Sequence, residues 1–414
     1  MTISMQPMSV EPGAFDPGQR RVLVLFAAGI MAYRLVRRWL QALHRAGYEV
    51  HIACPPDEYF DRLSQEGFLM HKVHMTRCLN PIEVVRSTIS VLKLLRSSDF
   101  DFINIHGAMA GVVGRIAGAL ARKPTIYTNH GFTFQDDSTW AVRSIVLAVE
   151  WMLSRLTLHT MFICREDYEV AMKYGVVTPS SATLILNGID TQAFSAEIGS
   201  PDKQTAKLQL GINPQRLVVG LIGRLIKEKG VREFVDASRI VLNVRQDLIF
   251  LIVGDSLNTD RGAYGKQMKK AVAQLGLSEK FVFTGFVDNV RPFLSAMDLL
   301  VHPTYRESFG LVIAEAMMMG VPVIASDVRG CRELIINGKT GILVPSKSPA
   351  ELARAVMALG DDVAVRKKLA SAASLRVRCN FDEQLVIGRF VSTIRGIVEG
   401  GSTCPSRQSS LKCR

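Results

Sequence analysis

A pair of cations lies in the segment GLIGRLIKEKG, residues 220–230, where Arg224 and Lys229 separate a strand-like run from a helix expected to begin near Val231. A lysine at a helix N-terminus opposes the helix dipole, at a cost of about 0.3 to 1 kcal/mol, unless an anion lies between them. A guanidinium and an ammonium group could together neutralise a nucleotide diphosphate without a metal ion. The alternative is that both residues are ordinary exposed cations of a loop.

Two carboxylates frame the segment ESFGLVIAE, which follows the strand-like run LLVHPT. A helix is expected to begin near Ser308 and to end at Gly320, with Pro322 opening the next strand. Glu307 would then lie in the loop before the helix, whereas Glu315 would lie inside the helix. Their separation does not place them on one helical face, so we expect the two carboxylates to serve different parts of one ligand.

The loop between these carboxylates also offers backbone donors. The amides of Phe309, Gly310 and Leu311 would lie at the start of the helix, where free N–H groups and the helix dipole favour an anion. Gly310 has no side chain, so a ligand could approach its backbone closely. This segment and the cation pair together predict a site for an anionic ligand.

The loops that carry these residues can form one site only if the strands before them end at the same edge of a sheet. From residue 21 the chain alternates short apolar runs with helix-length segments, which is typical of a parallel α/β sheet. The apolar runs are RVLVLF, EVHIACP, FINIH, PTIYTNH and TMFIC in the first half, and RLVVGLIGR, LIFLIVG, FVFTGF, LLVHPT, VPVIAS and GILVP in the second. We therefore predict two doubly wound domains in tandem, with a ligand in the cleft where their loops face one another.

The segment 187–207 is rich in Gly, Pro, Ser and Asp and separates the two series of strands. We predict an N-terminal Rossmann-like domain over residues 20–205 and a C-terminal one over residues 206–380. A C-terminal helix within residues 381–400 is expected to pack back on the N-terminal domain.

The two ends of the chain and the cysteines help to predict the cellular compartment of the protein. Residues 1–19 and 401–414 are expected to be a disordered leader and tail, and the leader lacks the basic start and apolar run of a signal peptide. The seven cysteines are odd in number and contain no C-x-x-C pair, which favours reduced thiols over a disulfide framework or a zinc site. We therefore expect a cytoplasmic protein.

The net charge of +12 comes almost entirely from the C-terminal half. The first 200 residues carry 19 Lys and Arg against 18 Asp and Glu, whereas the remainder carries 31 against 20. The basic half could bind an anionic ligand, and a solvated basic surface is an equally simple interpretation.

Two segments raise the question of a membrane. In residues 32–47, apolar residues recur at helical spacing beside four arginines, which suits an interfacial helix or, as we favour, a crossover helix packed on the sheet. Residues 144–164 are long and apolar, but Glu150, Arg155 and His159 interrupt them. We expect this second segment to form a buried or in-plane helix followed by a strand.

The segments GRLIKEKG and ESFGLVIAEAMMMGVPVIASDVRGCRELI carry a family resemblance. Over roughly residues 20–400 the chain resembles the retaining glycosyltransferases of family 4, which have the GT-B fold. The resemblance implies an N-terminal domain that binds the acceptor and a C-terminal domain that binds a sugar nucleotide. The members it resembles assemble lipid-linked or cell-surface polysaccharides.

The resemblance implies roles for the residues already singled out. Residues that match Arg224 and Lys229 bind the donor diphosphate, and the glutamate that matches Glu315 accepts hydrogen bonds from the ribose hydroxyls. The glutamate that matches Glu307 contacts the transferred sugar, together with the amides of residues 309–311.

Further candidates enter through the resemblance alone. The segment FTGFVDN matches a stretch whose backbone meets the nucleobase, which adds Phe286 and Val287 to the donor site. His130, in TNHGFTF after a strand, matches a histidine that reaches the donor sugar near the reacting centre. Gly29 matches a glycine-rich loop before the first helix, where this chain has Ala28 instead of a second glycine.

The implied mechanism is retaining transfer, in which the acceptor hydroxyl attacks from the face that the nucleoside diphosphate leaves. The predicted catalytic residues are His130 and Glu307, the latter as an electrostatic stabiliser, and a phosphate oxygen takes the proton. No D-x-D motif with clear strand-end placement is present and the cation pair already offsets the diphosphate charge. We therefore predict no metal ion and no cofactor beyond the donor substrate, a UDP- or GDP-sugar.

Three other functions fit parts of the sequence. A nicotinamide dehydrogenase shares the doubly wound fold, but no G-x-G-x-x-G follows the first strand of either half. A GT-B sugar-nucleotide epimerase would bind the same donor and would turn it over without an acceptor. A nucleic-acid-binding module could use the basic half, but the chain lacks a basic stretch interleaved with aromatic residues, so we expect no nucleic-acid partner.

The expected partners are a nucleotide sugar, with a UDP-N-acetylhexosamine favoured, and a glycan or lipid-linked glycan acceptor. The region VEWMLSRLTLHTMFICREDYE resembles members that extend lipid-linked oligosaccharides at the inner face of a membrane. The balanced charge of the N-terminal half argues against strong attraction to anionic lipid. Any contact with the cytoplasmic membrane is therefore expected to be local and peripheral.

Overall fold

The computed structural model describes residues 19–76, 80–134, 136–195, 202–256 and 264–400. The predicted tail and all but the last residue of the predicted leader lie outside these ranges. The described chain divides into two units: residues up to Leu186 together with those from Val386 onwards, and Asn187–Leu385. The division falls at the start of the segment 187–207, so the described part of that segment lies with the second unit.

The first unit contains a parallel sheet of seven strands. They are β1 (Arg21–Phe26), β2 (Glu49–Cys54), β3 (Leu69–Lys72), β4 (Phe102–His106), β5 (Thr125–Asn129), β6 (His159–Phe162) and β7 (Ala182–Leu184). Their order is β3-β2-β1-β4-β5-β6-β7. Five strands coincide with the predicted apolar runs, whereas the short edge strands β3 and β7 were not predicted.

Helices connect these parallel strands, and with the usual right-handed crossovers the strand order puts α1 to α3 on one face of the sheet and α4 to α7 on the other. They are α1 (Gly29–Met31), α2 (Arg37–Arg45), α3 (Glu58–Gln65), α4 (Pro81–Ser97), α5 (Ala108–Ala121), α6 (Trp140–Ser154) and α7 (Arg165–Lys173). A π-helical segment, Ala32–Val36, joins α1 to α2.

The helix predicted within residues 32–47 packs on the protein. Trp39, Leu40 and Leu43 of α2 are at most 1% exposed. The Trp39 ring lies 4.9 Å from that of Phe390 in the last helix of the chain. The crossover interpretation is therefore confirmed, and the apolar stripe of this helix is not available to a membrane surface.

The second unit contains a parallel sheet of six strands. They are β8 (Leu217–Ile222), β9 (Leu248–Val253), β10 (Phe281–Phe283), β11 (Leu299–His302), β12 (Val323–Ser326) and β13 (Ile342–Val344), in the order β10-β9-β8-β11-β12-β13. All six coincide with predicted runs. Near-continuous apolar residues suit such strands, because parallel sheets are buried on both faces.

The helices of the second unit follow the same alternation until the sheet is complete. They are α8 (Lys203–Gln209), α9 (Val231–Leu242), α10 (Tyr264–Gln274), α11 (Arg291–Ala296), α12 (Leu311–Met318), α13 (Arg329–Leu334), α14 (Pro349–Asp361), α15 (Val363–Asn380) and α16 (Glu383–Val398). From Val386 onwards α16 lies with the first unit. None of the helices in the described part of the chain is long and apolar enough to cross a bilayer.

Each sheet has its own core. In the first unit, Leu23, Leu25, Ile103 and Ile105 of the central strands are fully buried. In the second, the corresponding layer includes Val219, Leu221 and Phe250, with Phe234 of α9 packed on it. Both sheets are therefore rigid supports for the loops at the carboxyl ends of their strands.

Candidate functional site

Glu307 lies at the centre of a charged cluster in the second unit. The turn Lys227–Lys229 follows β8, and β11 ends at His302, so both deliver side chains to the carboxyl edge of the sheet. The Lys229 ammonium donates to Glu307 Oε2 over 2.7 Å, and His302 Nε2 lies 3.0 Å from the same oxygen. The Ser308 amide donates to Glu307 Oε1 over 3.1 Å. Both carboxylate oxygens are thus engaged within the protein.

This cluster holds Glu307 in its ionised form. Burial alone would raise the pKa of Glu307, but the charge of Lys229 and the hydrogen bond from His302 outweigh burial and hold that pKa well below its ordinary value. Burial lowers the pKa of His302 more than its bond to Glu307 raises it, so His302 is neutral near pH 7. Glu307 can therefore stabilise positive charge or accept a hydrogen bond, and it cannot act as a general acid near neutral pH.

The backbone that follows Glu307 offers unused donors. Gly310 is the N-cap of α12 and has φ +87°, a conformation that favours glycine. Within the described ranges, the amides of Phe309, Gly310 and Leu311 donate to no other group. The Phe309 side chain is 2% exposed and packs 5.4 Å from Phe381, so only its backbone can serve a ligand. Free amides at the start of a helix can bind an anion.

Gly330 fixes the position of this loop. Its amide donates to the Glu307 carbonyl over 3.1 Å. A Cβ added at Gly330 would lie 2.6 Å from the Phe309 nitrogen, closer than any side chain can pack. The start of α13 therefore presses its backbone directly against the loop that carries Glu307.

Among the described residues Glu315 has no side-chain partner, in contrast to Glu307. No hydrogen bond or ion pair joins its side chain to another described residue. Burial raises the pKa of Glu315 from its ordinary value to about 7. An unpaired carboxylate in this state is stabilised in its charged form by any hydroxyl group that donates to it.

The remaining donor candidates lie at the same edge of the second sheet. Arg224 is exposed in the loop after β8, and Phe286, 56% exposed, and Val287 lie in the loop after β10. The loop after β8 is packed closely against the backbone at Gly254. A Cβ added at Gly254 would lie only 2.0 Å from the Gly223 carbonyl oxygen. The structure thus brings these residues to the edge that carries Lys229 and Glu307.

His130 lies in the first unit, directly after β5. Its Nε2 is 3.0 Å from Nδ1 of His106, the last residue of β4. Burial lowers the pKa of His130 to about 4, so the ring is neutral near pH 7. His130 can therefore donate one hydrogen bond to a ligand, and it carries no charge there.

Gly29 is already bonded to the protein. Its amide donates to Asp57 Oδ2 over 2.9 Å, and an added Cβ would lie 2.4 Å from Asp57 Oδ1. The Gly29 backbone is therefore packed against a protein carboxylate. A role for Gly29 in binding the donor stays a prediction.

Sequence reasoning missed three residues of these sites: His106, His302 and Gly330. A signal was available for the histidines, because each ends an apolar strand run, FINIH and LLVH. Gly330 lies in the quoted segment VRGCREL, but only the fold shows which loop it touches.

Two family profiles match the chain. The profile described as "Glycosyl transferases group 1" matches residues 202–376, and that described as "Glycosyltransferase Family 4" matches residues 32–193. These matches support the transferase interpretation over the epimerase and the nucleic-acid-binding module.

Individual proteins extend the likeness. The UDP-Gal:alpha-D-GlcNAc-diphosphoundecaprenol alpha-1,3-galactosyltransferase of Escherichia coli is 27% identical over 322 residues, which cover 76% of this chain and 81% of that protein. The 2-deoxystreptamine glucosyltransferase of Streptomyces kanamyceticus is 30% identical over 299 residues, covering 69% and 75% respectively. The solved structure of Anabaena HepE in complex with UDP and glucose has a TM-score of 0.75 at 23% identity, covering 91% of this chain and 100% of that one. The predicted GT-B fold is therefore confirmed.

Proposed function

The chain belongs to glycosyltransferase family 4, and we propose that it transfers a hexose or N-acetylhexosamine from a nucleotide diphosphate sugar to a hydroxyl group of a lipid-linked glycan. The observation that carries the proposal is the Lys229–Glu307–His302 cluster beside the free amides of residues 309–311. One edge of one sheet offers a cation, anion-binding donors and an ionised carboxylate. The name of the Escherichia coli relative, which specifies a UDP-sugar donor and a diphosphoundecaprenol acceptor, supports both substrate classes.

Each group of the donor has a partner in this proposal. The Lys229 ammonium has three donors and gives one to Glu307, so others can bind the diphosphate together with Arg224. Glu315 accepts from the ribose hydroxyls, and Phe286 with Val287 borders the nucleobase. A UDP-sugar is favoured, and a GDP-sugar would use the same cations.

The reaction retains the anomeric configuration and needs no metal ion. The bond from the anomeric carbon to the diphosphate oxygen breaks, the acceptor oxygen bonds to the same face, and the hydroxyl proton passes to a phosphate oxygen. The double engagement of Glu307 by Lys229 and His302 supports an electrostatic role, because a carboxylate held in this way is a weak nucleophile. His130 donates a neutral hydrogen bond to the transferred sugar.

An enzyme that acts on a lipid-linked acceptor must reach the membrane surface. We propose that helix α6 makes this contact. Trp140, Ile145 and Met152 of this helix are 80%, 65% and 56% exposed.

The charged residues of α6 lie away from this face or at its end. Glu150, the acidic residue of the helix, points inward and forms a 2.8 Å ion pair with Arg115. The exposed face therefore carries no acid, and Arg155 follows it, 4.5 Å from the Trp151 ring. An apolar face with a cationic end suits the surface of an anionic phospholipid bilayer.

A panel of UDP-, GDP-, ADP- and dTDP-sugars tests the donor site by thermal shift. A ligand at 100 times its Kd stabilises a protein by about 2.7 kcal/mol. We expect the shift from the best donor to disappear in Arg224→Ala and Glu315→Ala. Glu279→Ala, at an acidic residue in the turn before β10, is the control. A thermal shift that stays at the wild-type value in both variants would contradict the proposed donor site.

A transfer assay tests the reaction. With a lipid diphosphate N-acetylglucosamine acceptor, we expect a product that has the anomeric configuration of the donor and a rate that a chelator does not change. An inverted product or a rate restored only by a divalent ion would contradict the proposed chemistry. Turnover of the donor without any acceptor would favour the epimerase.

Cosedimentation with vesicles of mixed neutral and anionic phospholipid tests the membrane surface. Trp140→Ser with Ile145→Ser is expected to abolish binding. The control pair is Leu208→Ser with Val244→Ser, at residues of the second unit that are 62% and 73% exposed. Equal binding by both double variants would exclude α6, and a change of oligomeric state in the α6 variant would indicate a second copy as its partner.

A further inference from the structure

His106 is enclosed by aromatic side chains at the end of β4. The residue is fully buried. The Phe26 ring stacks on it at 5.0 Å, and the rings of Trp39 and Phe390 lie 6.4 Å away. These neighbours offer neither an oxygen acceptor nor an opposing charge. Burial therefore drives the pKa of His106 well below its ordinary value, and the ring is neutral.

The two nitrogens of this neutral ring have different surroundings. Nδ1 lies 3.0 Å from His130 Nε2, whereas His106 Nε2 is buried and has no partner in the described part of the chain. A neutral imidazole carries one proton, so one nitrogen donates and the other accepts. The surroundings decide which nitrogen holds the proton.

Only one arrangement avoids a buried unpaired N–H group. If Nε2 of His106 held the proton, that buried N–H would be left without an acceptor, which destabilises the folded state. If Nδ1 holds it, the N–H donates to His130 Nε2 and the bare Nε2 is an unpaired acceptor, which proteins tolerate more often than an unpaired donor. The proton therefore lies on His106 Nδ1.

We propose that His106 is a positioning residue that fixes the tautomer of His130, by donating from its Nδ1–H to His130 Nε2. His130 must then carry its own proton on Nδ1. That nitrogen has no partner among the described residues and is not closed off from the surface. This inference rests on the proposed function, in which His130 donates from Nδ1 to an oxygen of the transferred sugar.

The pair also resists protonation. A proton added to His130 Nε2 would meet the N–H of His106, so His106 would have to move its own proton to the orphaned Nε2. Both rings thus stay neutral together. His130 serves as an oriented hydrogen-bond donor, and its second nitrogen is not available as a base.

The tautomer is measured directly by NMR of the full-length protein with isotopically labelled histidine nitrogens, assigned with His106→Phe and His130→Ala. We expect a protonated Nδ1 and an unprotonated Nε2 for both residues at pH 7. The reverse pattern at His130 would overturn the proposal. This measurement needs no substrate, so it stands even if the proposed transfer reaction fails.

Kinetics test the functional consequence. His106→Phe keeps the ring volume and removes the donor, so we expect kcat to fall by about 10-fold to 100-fold, the range known for losing the partner that orients a metal-ligating histidine. His106→Asn retains an N–H near the position of Nδ1 and is expected to recover most of the rate. Burial still holds the pKa of His130 low in His106→Phe, so the pH profile of kcat should stay as level as in wild type.

Controls separate positioning from simple packing. His159 is another buried histidine of the same sheet and bonds to Thr183 over 2.9 Å, so His159→Phe should leave kcat close to the wild-type value. In a His130→Ala background, His106→Phe should cause no further loss of kcat. Equal rates for the Phe and Asn variants, or additive losses with His130→Ala, would show that His106 has only a structural role.

Discussion

The two units place a histidine at the same position of their sheets and use it differently. In the first sheet β4 lies beside β1 and ends at His106, and in the second β11 lies beside β8 and ends at His302. Both histidines are buried, and each bonds to a proposed catalytic residue, His130 or Glu307. His106 is surrounded by aromatic rings, whereas His302 faces a carboxylate beside an ammonium group.

The contrast shows that the partner, rather than the position in the fold, decides what a strand-end histidine does. In the first unit two neutral rings exchange one hydrogen bond, which orients a donor without adding charge. In the second unit His302 helps to hold a buried carboxylate in its ionised form. We therefore expect changes around Glu307 to act on donor affinity as well as on turnover, and changes around His130 to act mainly on turnover.

Loss of the Lys229 ammonium group should have the largest effect on donor affinity. In Lys229→Met the buried Glu307 keeps only His302 and one amide, so its pKa rises because burial is the largest influence on it. The diphosphate also loses a cation. We expect the Kd of the nucleotide sugar to rise about 100-fold, or about 2.7 kcal/mol, by isothermal titration calorimetry.

The matched control for this change is Lys227→Met. Lys227 lies on the same turn, is exposed, and makes no contact with Glu307. Its substitution should alter the Kd less than about twofold, within the usual range for a surface residue. A similar loss of affinity in both variants would mean that general positive charge, and not the cluster, binds the donor.

His302→Phe is the counterpart in the second unit of His106→Phe in the first. It removes one donor to the Glu307 carboxylate while keeping an aromatic ring in the strand. A hydrogen bond to a charged group contributes about 1.5 to 3 kcal/mol, so a less firmly held Glu307 should raise the Kd and lower kcat together, with a loss of about 10-fold or more in kcat/KM. Calorimetry and steady-state kinetics on both variants check this, and a loss confined to kcat in His302→Phe would contradict it.

The pH dependence of donor affinity should show the smallest effect. Glu315 has a pKa of about 7 in the free protein, and ribose hydroxyl donors would lower that pKa in the complex. The complex then binds fewer protons, so affinity rises with pH up to the free-state pKa and levels off above it. Between pH 6.5 and 7.5 the increase should be about threefold, from the titration of this one group.

A UDP-sugar is the suitable probe for this measurement, because its diphosphate has no terminal phosphate that titrates in this range. Glu315→Gln should bind with an affinity that does not vary between these pH values. A wild-type affinity that is level over the same range would show that Glu315 is not the ribose acceptor.

The apolar patterning of the sequence predicted most of the fold. Eleven of the thirteen strands coincide with predicted runs, because strands buried on both faces are continuous in Val, Ile, Leu and Phe. The edge strands LMHK and ATL escaped prediction, since polar residues interrupt these short runs. Helix α12 begins at Leu311, three residues after the expected start, because Gly310 adopts a left-handed conformation as its N-cap.

The sites were less predictable than the fold. The residue types and strand-end positions indicated Arg224, Lys229 and Glu307, but not the ion pair between the last two. That pair joins loops 78 positions apart in the chain, and only the register of β8 beside β11 brings them together. For the same reason the bond between His106 and His130, from neighbouring strands, could not be read from either motif alone.

The exposed face of α6 gives this protein a built-in optical probe. Two of its three tryptophans, Trp140 and Trp151, lie on that face, whereas Trp39 is 1% exposed in the core. Intrinsic fluorescence therefore combines a constant short-wavelength emission with a component that shifts to the blue when α6 leaves water. Occupancy of this face can thus be followed in an unlabelled sample, and Trp140→Phe identifies how much of the signal comes from its most exposed ring.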